Sequence, residues 1–243
     1  MRRTFSALNK MQDKNGNDIA TRFLIKKGIF IWRHQNFIKV YINKLIAAVC
    51  LCTLIGCTVS KNPVRKDLKL LQKGKIKDDS SFVYHLPYEE NEPHLLVQGY
   101  FSRYTHKHRA ALDFKMKKGT KICAVRAGVV IRLKEDGRRG GSKVKYRTDG
   151  NFVVIQHEDS SRTGYWHLQN NGLLVSIGDT VTQGQVIALS GNSGYTYFPH
   201  LHFIVWRPDK KGQWTQIGTR FKTNKGIHYL RPFRLYRNTK PTM

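Results

Sequence analysis

The stretch Pro199-His200-Leu201-His202-Phe203 constrains this chain more than any other, because it reads as a β-strand with one polar and one apolar face. Successive strand side chains alternate sides, so His200 and His202 share a face while Leu201 and Phe203 point into a core. Two residues of strand rise put the two histidine Cβ atoms roughly 7 Å apart. At that separation one imidazole can bind a metal while the other reaches a water beside it. Two surface histidines on an ordinary strand satisfy the same pattern, so the rest of the chain has to decide.

From Phe82 onward, short apolar or alternating runs are separated by Gly, Asn and Asp, which is a β signal. The expected strands are Ala111–Phe114, Lys121–Ala124, Gly128–Leu133, Phe152–Gln156, Gly164–Trp166, Val186–Ser190 and Leu201–Trp206. Glu135–Gly150, with Gly137, Gly140 and Gly141 among Lys and Arg, reads as a long basic hairpin loop. No period of 20–50 residues appears, which excludes a repeat architecture. The segment 211–243 is basic and aromatic, fit to add an edge strand or to wrap the surface.

Among 243 residues, 40% apolar and 11% aromatic content supports a real core, and the formal net charge of +27 calls for a polyanionic neighbourhood. Nucleic acid and an anionic envelope are the two candidates. The chain shows no zinc-finger spacing, helix-turn-helix signal or RNP-like strand, so no specific nucleic-acid partner is expected. Charge alone leaves the oligomeric state open. Only eight of the 27 charges come from residues 1–56, where ten Lys and Arg face Asp13 and Asp18. The basicity is therefore a property of the folded part as well.

Leu45–Gly56 is an apolar run of twelve after Lys39 and Lys44. It is short for a membrane span and suits a signal-peptide h-region. Its end, Leu54-Ile55-Gly56-Cys57, resembles the bacterial lipobox, in which cleavage precedes a cysteine that is then lipidated. Residues 1–44 are longer than a usual n-region; either that region is extended or the start was set too far upstream. The organisation expected is a basic n-region and lipoprotein signal over 1–56, a tether over 57–81 with room for one short helix around Lys66–Lys73, a β domain over 82–210 and a basic extension over 211–243. A flexible tether of that length spans about 25–30 Å root-mean-square. Cys123, in Lys-Ile-Cys-Ala-Val, reads as a buried strand residue, and no disulfide framework is implied.

Further motifs join the His-x-His strand in sequence order. Thr105-His106-Lys107-His108 precedes Ala111-Leu112-Asp113-Phe114, and Gly119-Thr120 leads to Gly128-Val129-Val130. Gly150-Asn151-Phe152 and Tyr165-Trp166-His167-Leu168 follow, and then Gly178-Asp179-Thr180-Val181, Gly184-Gln185-Val186-Ile187 and Gly191-Asn192-Ser193-Gly194. Over roughly Leu86 to Pro208 this order resembles the M23 (lysostaphin/LytM-type) zinc metallopeptidase family. The resemblance implies a mainly β fold: a compact antiparallel β-sandwich or β-roll metallopeptidase domain, here behind an N-terminal signal helix and a basic linker.

The resemblance also makes His106, Asp113 and His202 ligands of Zn2+, with His200 as general base and His167 as its partner for an oxyanion or for proton relay. It implies an endopeptidase acting on peptidoglycan peptide cross-links. A non-catalytic wall-binding protein, or an activator of another hydrolase, is the alternative. With the lipobox, it implies a lipid-anchored envelope protein facing the periplasm, at the outer membrane if the cell has one. Mature Thr58 after the cysteine points that way. The bond cut, and any need for an activating partner, stay open. Departures from the family pattern are visible. Arg109 stands where the commoner spacing puts the first ligand, and His108 competes with His106. Ile204 occupies a position usually held by glutamate, and Tyr195-Thr196-Tyr197-Phe198 makes the rim unusually aromatic. His157 reads as a structural group.

Overall fold

A computed structural model describes residues 64–78 and 81–239, all within the compact unit Val59–Met243. The expected signal helix and Cys57 lie outside the described residues. Among the described residues one α-helix, α1 (Val64–Gln72), precedes seventeen strands. They are β1 (Val83–Tyr84), β2 (Pro93–Gln98), β3 (Ala111–Lys115), β4 (Lys121–Cys123), β5 (Gly128–Lys134), β6 (Gly140–Gly141), β7 (Phe152–Gln156), β8 (Arg162–Trp166) and β9 (Leu168–Leu173). The rest are β10 (Thr180–Val181), β11 (Val186–Ser190), β12 (Gly194–Tyr195), β13 (His200–Pro208), β14 (Trp214–Ile217), β15 (Arg220–Thr223), β16 (Gly226–Tyr229) and β17 (Arg234–Arg237).

A nine-stranded sheet runs β10-β5-β7-β8-β13-β3-β2-β17, with β14 pairing the far half of β13. Every ladder in it is antiparallel. Its two faces follow from the period of two. One cross-strand row is Leu112, Phe203, Tyr165, Val153 and Leu133, apolar from β3 to β5. The smaller sheet β4-β11-β9 covers that face, so that Ile122, Ile187 and Leu168 join Phe203 and Tyr165 in one hydrophobic cluster. The fold is the mainly β antiparallel architecture expected. Burying four of those side chains on both sheets contributes about 1.5–3 kcal/mol each, which is why the layers stay together.

The expected domain boundaries do not match the packing. Residues 64–72 are part of the domain: Leu68 is buried beside Gly218, and Gln72 Nε2 donates to the Leu230 carbonyl at 2.5 Å. The extension beyond 211 supplies four strands rather than a wrap; β14 and β17 extend the large sheet, and β15 and β16 form a sheet with β1. The stretch Glu135–Gly150 is the long hairpin loop expected, joining antiparallel β5 and β7, but it is not irregular throughout. It holds two-residue β6, paired in parallel with β12, and a 3-10 helix, Val144–Asp149. The backbone is pressed so close there that a Cβ on Gly140 would lie 1.6 Å from the Asn192 carbonyl oxygen.

Asn151 pins this segment. It is fully buried; its Oδ1 accepts from Gly137 N at 2.8 Å, and its Nδ2 donates to the carbonyls of Gly137 (2.8 Å) and Leu168 (3.4 Å). Asn151→Ala leaves a buried amide and carbonyl without partners, at about 1–3 kcal/mol. A thermal melt is expected to show Tm lowered by several degrees. Asn151→Asp keeps the acceptor for Gly137 N but sets a buried carboxylate oxygen against the Gly137 and Leu168 carbonyls, so it should melt no higher than Asn151→Ala. An Asn151→Ala protein melting at the wild-type temperature would remove this role.

Candidate metal centre

Three donor residues converge on the polar face of the large sheet. Asp113 and His202 are direct cross-strand partners on β3 and β13, which sets their side chains on one face. His106 comes from the loop before β3. His202 Nδ1 lies 2.7 Å from Asp113 Oδ1, His106 Nε2 3.1 Å from Asp113 Oδ2, and His106 Nε2 3.2 Å from His202 Nδ1. The three ligand atoms lie within 4.8 Å of one another, and all three residues are buried.

This donor set fits a divalent cation. His106 Nδ1–H donates to the Gly99 carbonyl at 3.3 Å, which leaves Nε2 with its lone pair toward the cluster. Gln98 Nε2 donates to Asp113 Oδ2 at 2.9 Å and orients the carboxylate. Burial works against ionisation of Asp113, but His202 and His106 outweigh it and hold its carboxyl well below the usual range. Burial lowers the pKa of His202, opposed by Asp113, so the neutral ring needed for ligation is favoured. Of the two histidines in the loop, His106 is in the cluster and His108 is exposed.

Two more imidazoles border the cluster. His200 Nε2 is 3.7 Å from Asp113 Oδ1, and its Nδ1–H donates to the Phe198 carbonyl at 2.8 Å. His167 follows β8; its ring centroid is 4.6 Å from that of His200, and its Nδ1–H donates to the Ser193 carbonyl at 2.7 Å. In the neutral form of either ring these bonds leave Nε2 as the lone-pair nitrogen. Burial, with His200 and His202 adding to it, pushes the His167 pKa down to about 3, so this ring is neutral near pH 7. His167 also holds φ at +64°, a left-handed backbone that costs a non-glycine residue energy.

These residues sit in a cleft of about 720 Å³ whose lining includes Trp166, Trp206 and the aromatic rim residues Tyr195, Tyr197 and Phe198. Another concavity of about 780 Å³, around Arg126 and His157, shares no lining residue with it and has no ligand set. His157 is structural there: its Nδ1–H donates to the Ala127 carbonyl at 2.8 Å, and Nε2 faces the Thr163 hydroxyl at 3.0 Å. Cys123 is buried, which pushes its thiol up to about 12. Gln98 is the residue that sequence reasoning missed. A lone glutamine at a strand end gives no signal until the register places it beside Asp113.

Residues 98–216, which contain this whole arrangement, match Peptidase family M23. The chain carries a peptidase family M23 domain. An uncharacterized metalloprotease from Buchnera aphidicola is 40% identical over 95 residues, covering 39% of this chain and 22% of that protein. The peptidoglycan DD-endopeptidase ShyA from Vibrio cholerae is 38% identical over 91 residues, covering 37% of this chain and 18% of that protein. Among solved structures, the catalytic domain of lysostaphin from Staphylococcus simulans is 28% identical, covering 47% of this chain and 79% of that one, with a TM-score of 0.36. The likeness spans about a fifth of the length of these curated relatives.

Proposed function

We propose that the chain is a zinc-dependent endopeptidase that hydrolyses peptide cross-links of peptidoglycan. The observation that carries this reading is the buried His106, Asp113 and His202 cluster with two lone-pair imidazoles beside it at the bottom of an open cleft. The relative named as a peptidoglycan DD-endopeptidase supports the substrate. Two histidines and a carboxylate would hold zinc and leave a position open, where zinc polarises a carbonyl and acidifies water toward a pKa of about 7. The chain's own residues then supply proton transfer. In the neutral tautomer that its Nδ1–H bond selects, each of His200 and His167 turns Nε2 to the cleft as the nitrogen that accepts a proton. His167 can donate toward an oxyanion only after receiving one, so the hydrogen bonds favour the relay role for it.

The test is digestion of purified peptidoglycan by the detergent-solubilised full chain, with zinc and after chelation, read out by the mass of released fragments. Zinc-dependent release of cross-link cleavage products supports the reading; intact peptidoglycan in both arms overturns it.

The second part of the proposal is location: lipidation at Cys57, facing the periplasm and, where the cell has one, held at the outer membrane. Leu54-Ile55-Gly56-Cys57 after the apolar run supports it. Two or more acyl chains are needed for stable anchoring, since one gives only reversible binding. Because α1 belongs to the domain, six residues separate Cys57 from Val64, a reach of about 20 Å at full extension. The domain would therefore work close to its membrane. Wild type is expected in the membrane fraction with acyl mass on Cys57, and Cys57→Ala outside it. A wild-type chain retaining residues 1–56 and lacking acyl mass would refute the anchor and leave the hydrolase reading in place.

A further inference from the structure

Directly paired residues of an antiparallel sheet share a face. Followed across the large sheet, the pairing joins Gln98 to Asp113, Asp113 to His202, His202 to Trp166, Trp166 to Phe152, and Phe152 to Lys134. This single row crosses six strands. Its first half is the metal cluster and the glutamine that orients it. Its second half has no part in metal binding or proton transfer, yet it lines the same cleft.

Trp166 and Phe152 stack there with centroids 5.7 Å apart and planes 24° from parallel. The Trp166 ring lies directly over Gly164: a Cβ at that position would meet its ring atoms at 2.2 and 2.3 Å. The two rings form an apolar floor leading away from His202, and cations close its far end. Lys134 ends the row, the Arg132 guanidinium lies 5.6 Å from the Phe152 ring centroid, and Arg147 lines the cleft from the 3-10 helix. Among the described lining residues, Arg109, Lys134 and Arg147 are cationic, and Asp113, in the metal cluster, is the one carboxylate. Lys134 does pair with Asp136, but that side chain is 81% exposed, and such a surface pair is weak and readily exchanged.

We propose that this half of the row is a substrate subsite for a peptide arm ending in a free carboxylate. The arm lies on Trp166 and Phe152, and Lys134 and Arg147 hold the carboxylate. Three strand spacings separate His202 from Lys134, roughly 14 Å, which about four extended residues cover. The inference rests on the hydrolase reading above, and its test separates the two.

The full chain is given two cross-linked peptides whose arms run four residues past the scissile bond, one ending in a carboxylate and the other in a carboxamide. Charge-assisted hydrogen bonds favour the carboxylate, so its kcat/KM is expected to be about tenfold or more higher, expressed mainly in KM. In Lys134→Gln/Arg147→Gln the ratio should fall to near one, and in Asp136→Asn it should rise. Lys210→Gln, outside the cleft, should leave it unchanged. Calorimetric binding of the same peptides to metal-free protein reads the subsite without turnover. Equal kcat/KM or equal binding for the two peptides in wild type overturns the subsite and leaves the hydrolase standing. Selective binding with no cleavage of peptides or peptidoglycan supports the subsite and overturns the hydrolase.

Discussion

Asp113→Asn and His202→Ala are each expected to empty the metal site and abolish peptidoglycan hydrolysis, whereas His108→Ala keeps both. Structural zinc sites bind with about 10–16 kcal/mol over four ligands, so one ligand accounts for roughly 3–4 kcal/mol, a loss of about 100- to 1,000-fold in affinity. Asparagine keeps the shape of Asp113 and its contact with Gln98 but removes the charge that offsets the cation. The neutral amide loses the pull of His106 and His202 but also ends the burial cost of a carboxylate, and these offset each other, so the variant need not lose the fold. Metal content by mass spectrometry and a thermal melt read the two effects apart. His106→Ala should behave as His202→Ala does, because both rings aim a nitrogen into one cluster. A His108→Ala protein without metal, beside a His106→Ala protein that retains it, would overturn this ligand assignment.

What could be read from the sequence was what short-range chemistry dictates. The alternation in β13 gave a strand whose even positions face the cleft and whose odd positions face the core, and the bounds expected for β7 and β11 are those found. His106, Asp113, His167, His200 and His202 stood out because each sits in a short motif, with His108 competing for the first, and the fold brings the five side chains to one place. Register was not legible. Nothing local says that Phe152 stands beside Trp166 or that Lys134 ends their row; that follows from which strands pair. Two-residue strands such as β6 and β12 escaped because three of the four residues in their ladder are glycines, which leaves no side-chain pattern. The stretch around Leu68 looked like a tether because its leucines are interspersed with Lys, Arg and Asp; what docks it is long-range, the Gly218 notch under Leu68, Leu71 against the core and the Gln72 bond to the Leu230 carbonyl.

His167→Gly and His200→Ala are expected to lower hydrolysis by about 10²- to 10⁴-fold with the metal retained. Neither ring is in the ligand cluster, and each offers only a lone-pair Nε2, since Ser193 and Phe198 carbonyls take the Nδ1 protons. If the two rings, 4.6 Å apart, handle one proton in sequence, removing both should cost little more than removing the worse single one. A double variant whose loss is the product of the single losses would show independent roles and end the relay. The backbone at His167 supplies a second check. Glycine relieves a left-handed conformation worth roughly 1–2 kcal/mol, against about 0.5–1 kcal/mol of added chain entropy and about 0.5–1.5 kcal/mol for the lost bond to Ser193. These terms nearly cancel, so His167→Gly should melt within a few degrees of wild type while its activity collapses. A residue kept only for packing would lose stability first. Loss of rate at unchanged Tm therefore identifies a group held in strain for its chemistry.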